Sequence, residues 1–235
     1  MKTNKKLSLL LITAFILFTI LGALSHEAGH YLEAKSFGYE ARISYASTHW
    51  DDKETREYIN SVFLKHRDEI LAKQKFTGSD TFYPIFKIYW RNNFYINVWG
   101  PLQTIFTGTM GFIFLLVYRK SFFASSQLLL NQWLLIFISL FWLRQPINFI
   151  ILIFSYLING TLSCKMDEAK IAEYVRLPQV SIIAITALIG ITIISFVIFK
   201  FIPLPQRKTF IISGLIGGVV GFILWMYILG PIVLP

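Results

Sequence analysis

Charge is nearly absent from five long stretches of the chain. Residues 7–25, 92–118, 177–199 and 209–235 carry none, and 121–164 is interrupted only by Arg144. Each reaches the roughly 18 to 20 residues that cross a bilayer as a helix. The pattern predicts an all-α polytopic membrane protein, a single membrane domain over 1–235, with spans near 7–34, 97–118, 128–158, 180–199 and 209–233. The stretch 121–164 is long enough for two helices, which would give six spans. One helix broken at Pro146 gives five, because a proline ring removes a backbone donor. Five is preferred, since it returns residues near 167 to the face where the first span ends.

Between the first two spans lies a polar insert, 35–91. Ala41, Ile43 and Tyr45 alternate with Arg42 and Ser44, which suits a short strand within 39–48. Over 51–76, Ile59, Val62, Phe63, Ile70 and Leu71 recur at helical spacing among charges. That is an amphipathic helix, lying on the bilayer surface or packed on the strand. Tyr89, Trp90, Tyr95 and Trp99 mark an interfacial belt before the second span. In the last span Gly214, Gly217, Gly218 and Gly221 allow close helix contact, by default within one chain.

Composition agrees with this class. Of 235 residues, 55% are hydrophobic and 15% charged, against about 25% charged in soluble domains. The net charge of +9 does not call for nucleic acid, because the basic residues sit at segment ends and in loops facing lipid head groups. Cys164 is the single cysteine, so no intrachain disulfide exists. Lys2, Lys5 and Lys6 before an apolar run allow a cleavable signal. The long run, and a motif at its end, favour a retained anchor.

That motif is His26-Glu27-Ala28-Gly29-His30, the H-E-x-x-H pattern. On a helix, histidines four apart share a face and can offer two nitrogens to one tetrahedral Zn²⁺. Glu27, beside the first ligand, can take a proton from a water that the metal activates. A merely solvated group of polar residues at a span's end is the plainer reading. Gly29 weakens the helix but lets a substrate or a neighbouring helix approach. The third ligand is missing from the motif.

Residues 25–43, SHEAGHYLEAKSFGYEARI, resemble the site-2 protease family of intramembrane zinc metalloproteases. There H-E-x-x-H closes a transmembrane helix, and a glycine turn and a strand follow. Gly38, the strand candidate, and Gly100-Pro101 in NVWGPLQTIF fit the same layout. The resemblance implies a zinc endopeptidase with one Zn²⁺ held by His26, His30 and Asp167, and with Glu27 as base. It implies a membrane-protein substrate, met by Gly100, Pro101 and Asn148 and by edge pairing with the strand. Departures exist: Leu143 stands three before Pro146 where the family places Asn, and Glu168 follows Asp167 where it places Gly.

Alternatives stay open at this stage. Glu168 can replace Asp167, and Glu54 or Glu57 matches the downstream glutamate of thermolysin-type enzymes. His49 and His66 read as surface residues, and Arg144 as a partner of Asp167 or of a backbone carbonyl. Asn148 and Asn159 suit helix packing as well as substrate contact. A catalytically silent relative and a metal transporter are the rival functions; the absence of repeats and the clustering at one span's edge disfavour the transporter. The expected location is the plasma membrane. Basic residues at the ends of the short loops assign their own face to the cytosol, whereas the resemblance puts the active site nearer the cytosol, on the opposite face.

Overall fold

The computed structural model describes residues 5–123, 127–160 and 166–235. Lys2 and Cys164 lie outside the described residues. Among those described, five helices are long and apolar enough to cross a membrane: α1 (Lys5–Ser36), α3 (Ser79–Val117), α4 (Leu130–Asn159), α6 (Val180–Phe201) and α7 (Leu204–Val233). The chain is an all-α, multi-pass membrane protein. A hairpin of β1 (Ala41–Ile43) and β2 (Thr48–Trp50), followed by α2 (Lys53–Lys65), fills the first connection. Helix α5 (Asp167–Tyr174) lies between α4 and α6.

The glycine after α1 sets the geometry. Gly38 has φ +82°, a left-handed value glycine adopts without strain. Its N–H donates to the Lys35 carbonyl and that of Tyr39 to Ala34, closing the last turn. The chain then doubles back as two antiparallel strands, Arg42 opposite His49. The sequence pattern suggested one strand; a three-residue partner is too short to show periodicity. The C-terminal end of α7 covers the hairpin: Trp225 Nε1 donates to the Tyr45 carbonyl at 2.8 Å, and Tyr45 N–H donates to Leu234 O at 2.8 Å. Hairpin, α5 and the end of α7 therefore share one face.

The helix that carries the second span runs through the expected 97–118 to Val117 but begins ahead of it, at Ser79. Pro84, Lys87 and Arg91 depress the hydropathy there, yet Lys87 and Arg91 lie on the exposed side of a continuous helix. Its inner face is Asn92, Asn93, Ile96, Asn97 and Gly100, all buried. Trp90, Tyr95 and Trp99 remain on the outer face. Helix α2 rests on α3 rather than on the strands, burying Ile59.

Helix α4 is a single span with a local tightening. A 3₁₀ turn at Leu140–Leu143 precedes the α-helical half that begins at Arg144. Pro146 sits in the first turn of that half, where its missing N–H costs little. Gly190 of α6 nestles there; a Cβ would lie 2.9 Å from Pro146 Cδ and 3.0 Å from the Trp142 carbonyl oxygen. Away from this kink the core is aromatic: Phe15 packs edge-on against Phe137 with centroids 4.8 Å apart, and Trp133 stacks on Phe210 at 5.7 Å. This cluster ties α1, α4 and α7 together and leaves the last turns of α1 free to carry polar groups.

Candidate metal centre

Both motif histidines are buried near the end of α1, with His26 at 1% and His30 at 5% exposure. Asp167, the first residue of α5, reaches them across the interior. Its Oδ2 lies 3.0 Å from His26 Nε2 and 3.2 Å from His30 Nε2. The two imidazole nitrogens are 3.2 Å apart. Three ligand atoms thus form a nearly equilateral triangle. A cation about 2.0–2.2 Å from each, in tetrahedral geometry, needs edges of about 3.3 Å. The triangle fits such an ion, and a carboxylate oxygen of Glu27 lies within 4.8 Å of a ring nitrogen of each histidine. The cluster can hold a metal ion.

His30 is oriented from behind. Its Nδ1 lies 2.6 Å from the main-chain oxygen of Ile96 on α3. A carbonyl only accepts, so Nδ1 carries the proton and Nε2 keeps its lone pair for a metal. The carboxylate is oriented too. Lys170, one turn on, stands 3.6 Å from Asp167 Oδ1 and donates to Asn97 Oδ1 at 3.2 Å. Oδ2 alone then faces the histidines. Burial by itself would raise the Asp167 carboxyl. The hydrogen bonds and charges of His26 and His30 outweigh that and hold it well below the usual carboxylate range.

Glu27 is held by β2. Thr48 Oγ1 lies 2.8 Å from the Glu27 main-chain oxygen and 3.0 Å from its Oε2, so one hydroxyl proton serves both acceptors. A cavity of about 290 Å³ opens beside it, lined by Glu27, His30, Thr48, Asn148, Asp167 and Lys170 among others. A second cavity of about 300 Å³, mostly apolar, reaches Glu27 from the other side, between α1, α4 and α7.

The remaining sequence candidates fall elsewhere. Glu168 is buried at 1% exposure and accepts hydrogen bonds from Asn148 Nδ2 at 3.2 and 3.4 Å, rather than entering the triangle. Glu54 and Glu57 stand on the exposed side of α2, where Glu57 faces Lys53 at 4.0 Å. His49 pairs with Ser47, and His66 stacks on Phe76. Asn159 donates to Ser155 at 3.3 Å on the exposed flank of α4. Gly100 and Pro101 are buried. Gly100 faces the His30 ring, so its observed contact is with the candidate ligand cluster and not with an open substrate surface. Asn148 does line both cavities. Arg144 forms no ion pair with Asp167 among the described residues.

Three supporting groups were not visible in the chain's pattern. The Ile96 carbonyl and Thr48 carry no sequence signal, since both act through long-range packing. Lys170 had a weak one: a basic residue three after a carboxylate on a helix is a local pair. Comparison of this chain with protein-family models, with curated proteins and with solved structures finds no match.

Proposed function

We propose that this multi-pass protein is an intramembrane zinc metallopeptidase of the cell membrane, a divergent relative of the site-2 proteases, acting on membrane-anchored protein substrates. One observation carries the reading: His26, His30 and Asp167 converge to mutual distances of 3.0–3.2 Å with Glu27 adjoining. Two imidazoles, one carboxylate and an open fourth position suit zinc over the harder oxygen-seeking cations.

Zinc bound there would supply Lewis acidity, polarising a carbonyl and lowering the pKa of water. The protein's own groups do the rest. Glu27, acceptor-only when ionised, takes the proton of the attacking water, and Thr48 keeps its carboxylate aimed at the site. The water oxygen joins the carbonyl carbon. The proton then passes from Glu27 to the leaving nitrogen as the C–N bond breaks, giving one carboxylate and one amine. The polar cavity around Asp167 and Lys170 supplies water in a bundle that otherwise excludes it. The two short strands offer backbone groups to a locally unwound substrate, which lipid would leave unpaired.

Metal analysis of the purified full chain tests this directly. About one zinc per chain is expected, and a metal-free chain overturns the reading. Glu27→Gln is expected to retain that zinc and to slow cleavage of a fluorogenic transmembrane peptide by about 100-fold or more.

A further inference from the structure

Arg144 is the cation inside the long apolar stretch 121–164, and its charge acts on the carboxylates of Glu27 and Glu168 without a close ion pair to either among the described residues. None of the ion pairs among the described residues involves it. Its Nε is buried without a hydrogen-bond acceptor. Glu168, the nearby buried carboxylate, accepts from Asn148 instead. A guanidinium with a buried donor left open inside a membrane protein is expensive, and such residues face cavities where a ligand or water meets them.

The location is specific. Arg144 opens the second half of α4 directly after the 3₁₀ turn. Four residues line both the apolar and the polar cavity: Glu27, Ala46, Arg144 and Asn148. They form the shared wall between a compartment fit for apolar side chains and one fit for water. A peptide lying along that shared wall would present its backbone to Glu27 and to Arg144 together.

We infer that Arg144 is a further catalytic residue: its guanidinium donates to the carbonyl oxygen of the scissile bond and holds the negative charge that forms there. The assignment rests on the peptidase reading above. As water adds, its proton goes to Glu27 and its oxygen to the carbonyl carbon, while the carbonyl π pair moves onto the oxygen facing Arg144. When the C–N bond breaks, that pair returns and the proton reaches the leaving nitrogen. A fixed donor in a low-dielectric wall acts mainly on the charged state, which raises turnover more than ground-state binding. The planar fork of arginine suits an oxygen acceptor better than a point charge does.

The test uses the full zinc-loaded chain in detergent and two uncleavable peptides of the same sequence. One carries a phosphinic group, a tetrahedral anion, in place of the scissile amide; the other carries a reduced CH₂–NH link that lacks the oxygen. R144Q is expected to keep its zinc, to bind the phosphinic peptide about 100-fold more weakly, and to bind the reduced peptide as the wild type does. Equal loss for both peptides, or no loss for either, overturns the assignment. So does unchanged phosphinic binding accompanied by a lost preference for peptides with an acidic residue beside the bond. If R144Q loses zinc, R144K is read in its place: about tenfold weaker phosphinic binding supports the assignment, and wild-type binding overturns it. A wild-type chain that takes up zinc and the phosphinic peptide while R144Q equals it sinks Arg144 alone. A wild-type chain that takes up neither sinks the peptidase reading and this inference with it.

Discussion

The imidazole of His30 occupies the space that a side chain at Gly100 would fill: a Cβ there would overlap Nε2, Cε1 and Cδ2 of the ring. Gly100 lies on α3 one turn beyond Ile96, whose carbonyl receives the ring's other nitrogen. A helix can hold His30 from both sides only where one position lacks a side chain. One residue before His30 on α1, Gly29 does the same for the backbones, since its Cβ would meet the Trp99 carbonyl oxygen at 2.5 Å. The two glycines set how closely α1 and α3 approach at the histidine pair.

Gly100→Ala is therefore expected to displace the His30 ring while leaving the rest of the bundle folded. Zinc affinity should fall about 10- to 100-fold, the range for disturbing the groups that orient a ligand. Competition against a chromophoric chelator measures it, and unchanged affinity would contradict the packing described.

Asp167 and Glu168 are neighbours with opposite expectations. Asp167→Ala removes one corner of the triangle and should cost more affinity than Gly100→Ala, leaving the purified chain short of zinc. Glu168→Gln should keep full zinc, because Glu168 faces Asn148. Burial raises the Glu168 carboxyl towards its neutral form, so a neutral isostere costs the fold little. Zinc content of the two variants, measured side by side, decides between them.

The last span supplies a packing test far from the chemistry. A Cβ at Gly217 would stand 2.6 Å from the Ile12 carbonyl oxygen and 2.7 Å from Phe15 Cβ, whereas at Gly218 it would meet nothing within 4 Å. Gly217→Leu should destabilise the protein by about 1–3 kcal/mol, the usual cost of overpacking. Gly218→Leu should leave it near wild type. Thermal unfolding in detergent reads both, and equal effects would refute the α1–α7 contact.

Some of this was legible before folding. Spans show in sequence because a bilayer demands some twenty uncharged residues in a row, whatever surrounds them. The ligand pair shows because four residues on a helix bring two side chains to one face. Asp167 was reachable by a longer argument, counting crossings to ask which carboxylate returns to the correct side. The helical stretch of α3 ahead of the span was not legible because charged Lys87 and Arg91 point outwards while three asparagines point inwards. That inverts the usual pattern, and hydropathy does not record direction.

By itself, then, the sequence determined what depends on short spacing and on the surrounding lipid: the membrane-spanning class, and the two histidines with their glutamate. It preferred five crossings to six, and among the described residues the fold has five helices that can cross. Tertiary structure alone decided which partners meet them. The Ile96 carbonyl behind His30, the Thr48 hydroxyl on Glu27, the Lys170–Asn97 bridge beside Asp167, and Arg144 on the wall shared by the two cavities all depend on elements distant in sequence. Such contacts arise from how faces pack, and no local periodicity encodes a distance between two segments of chain.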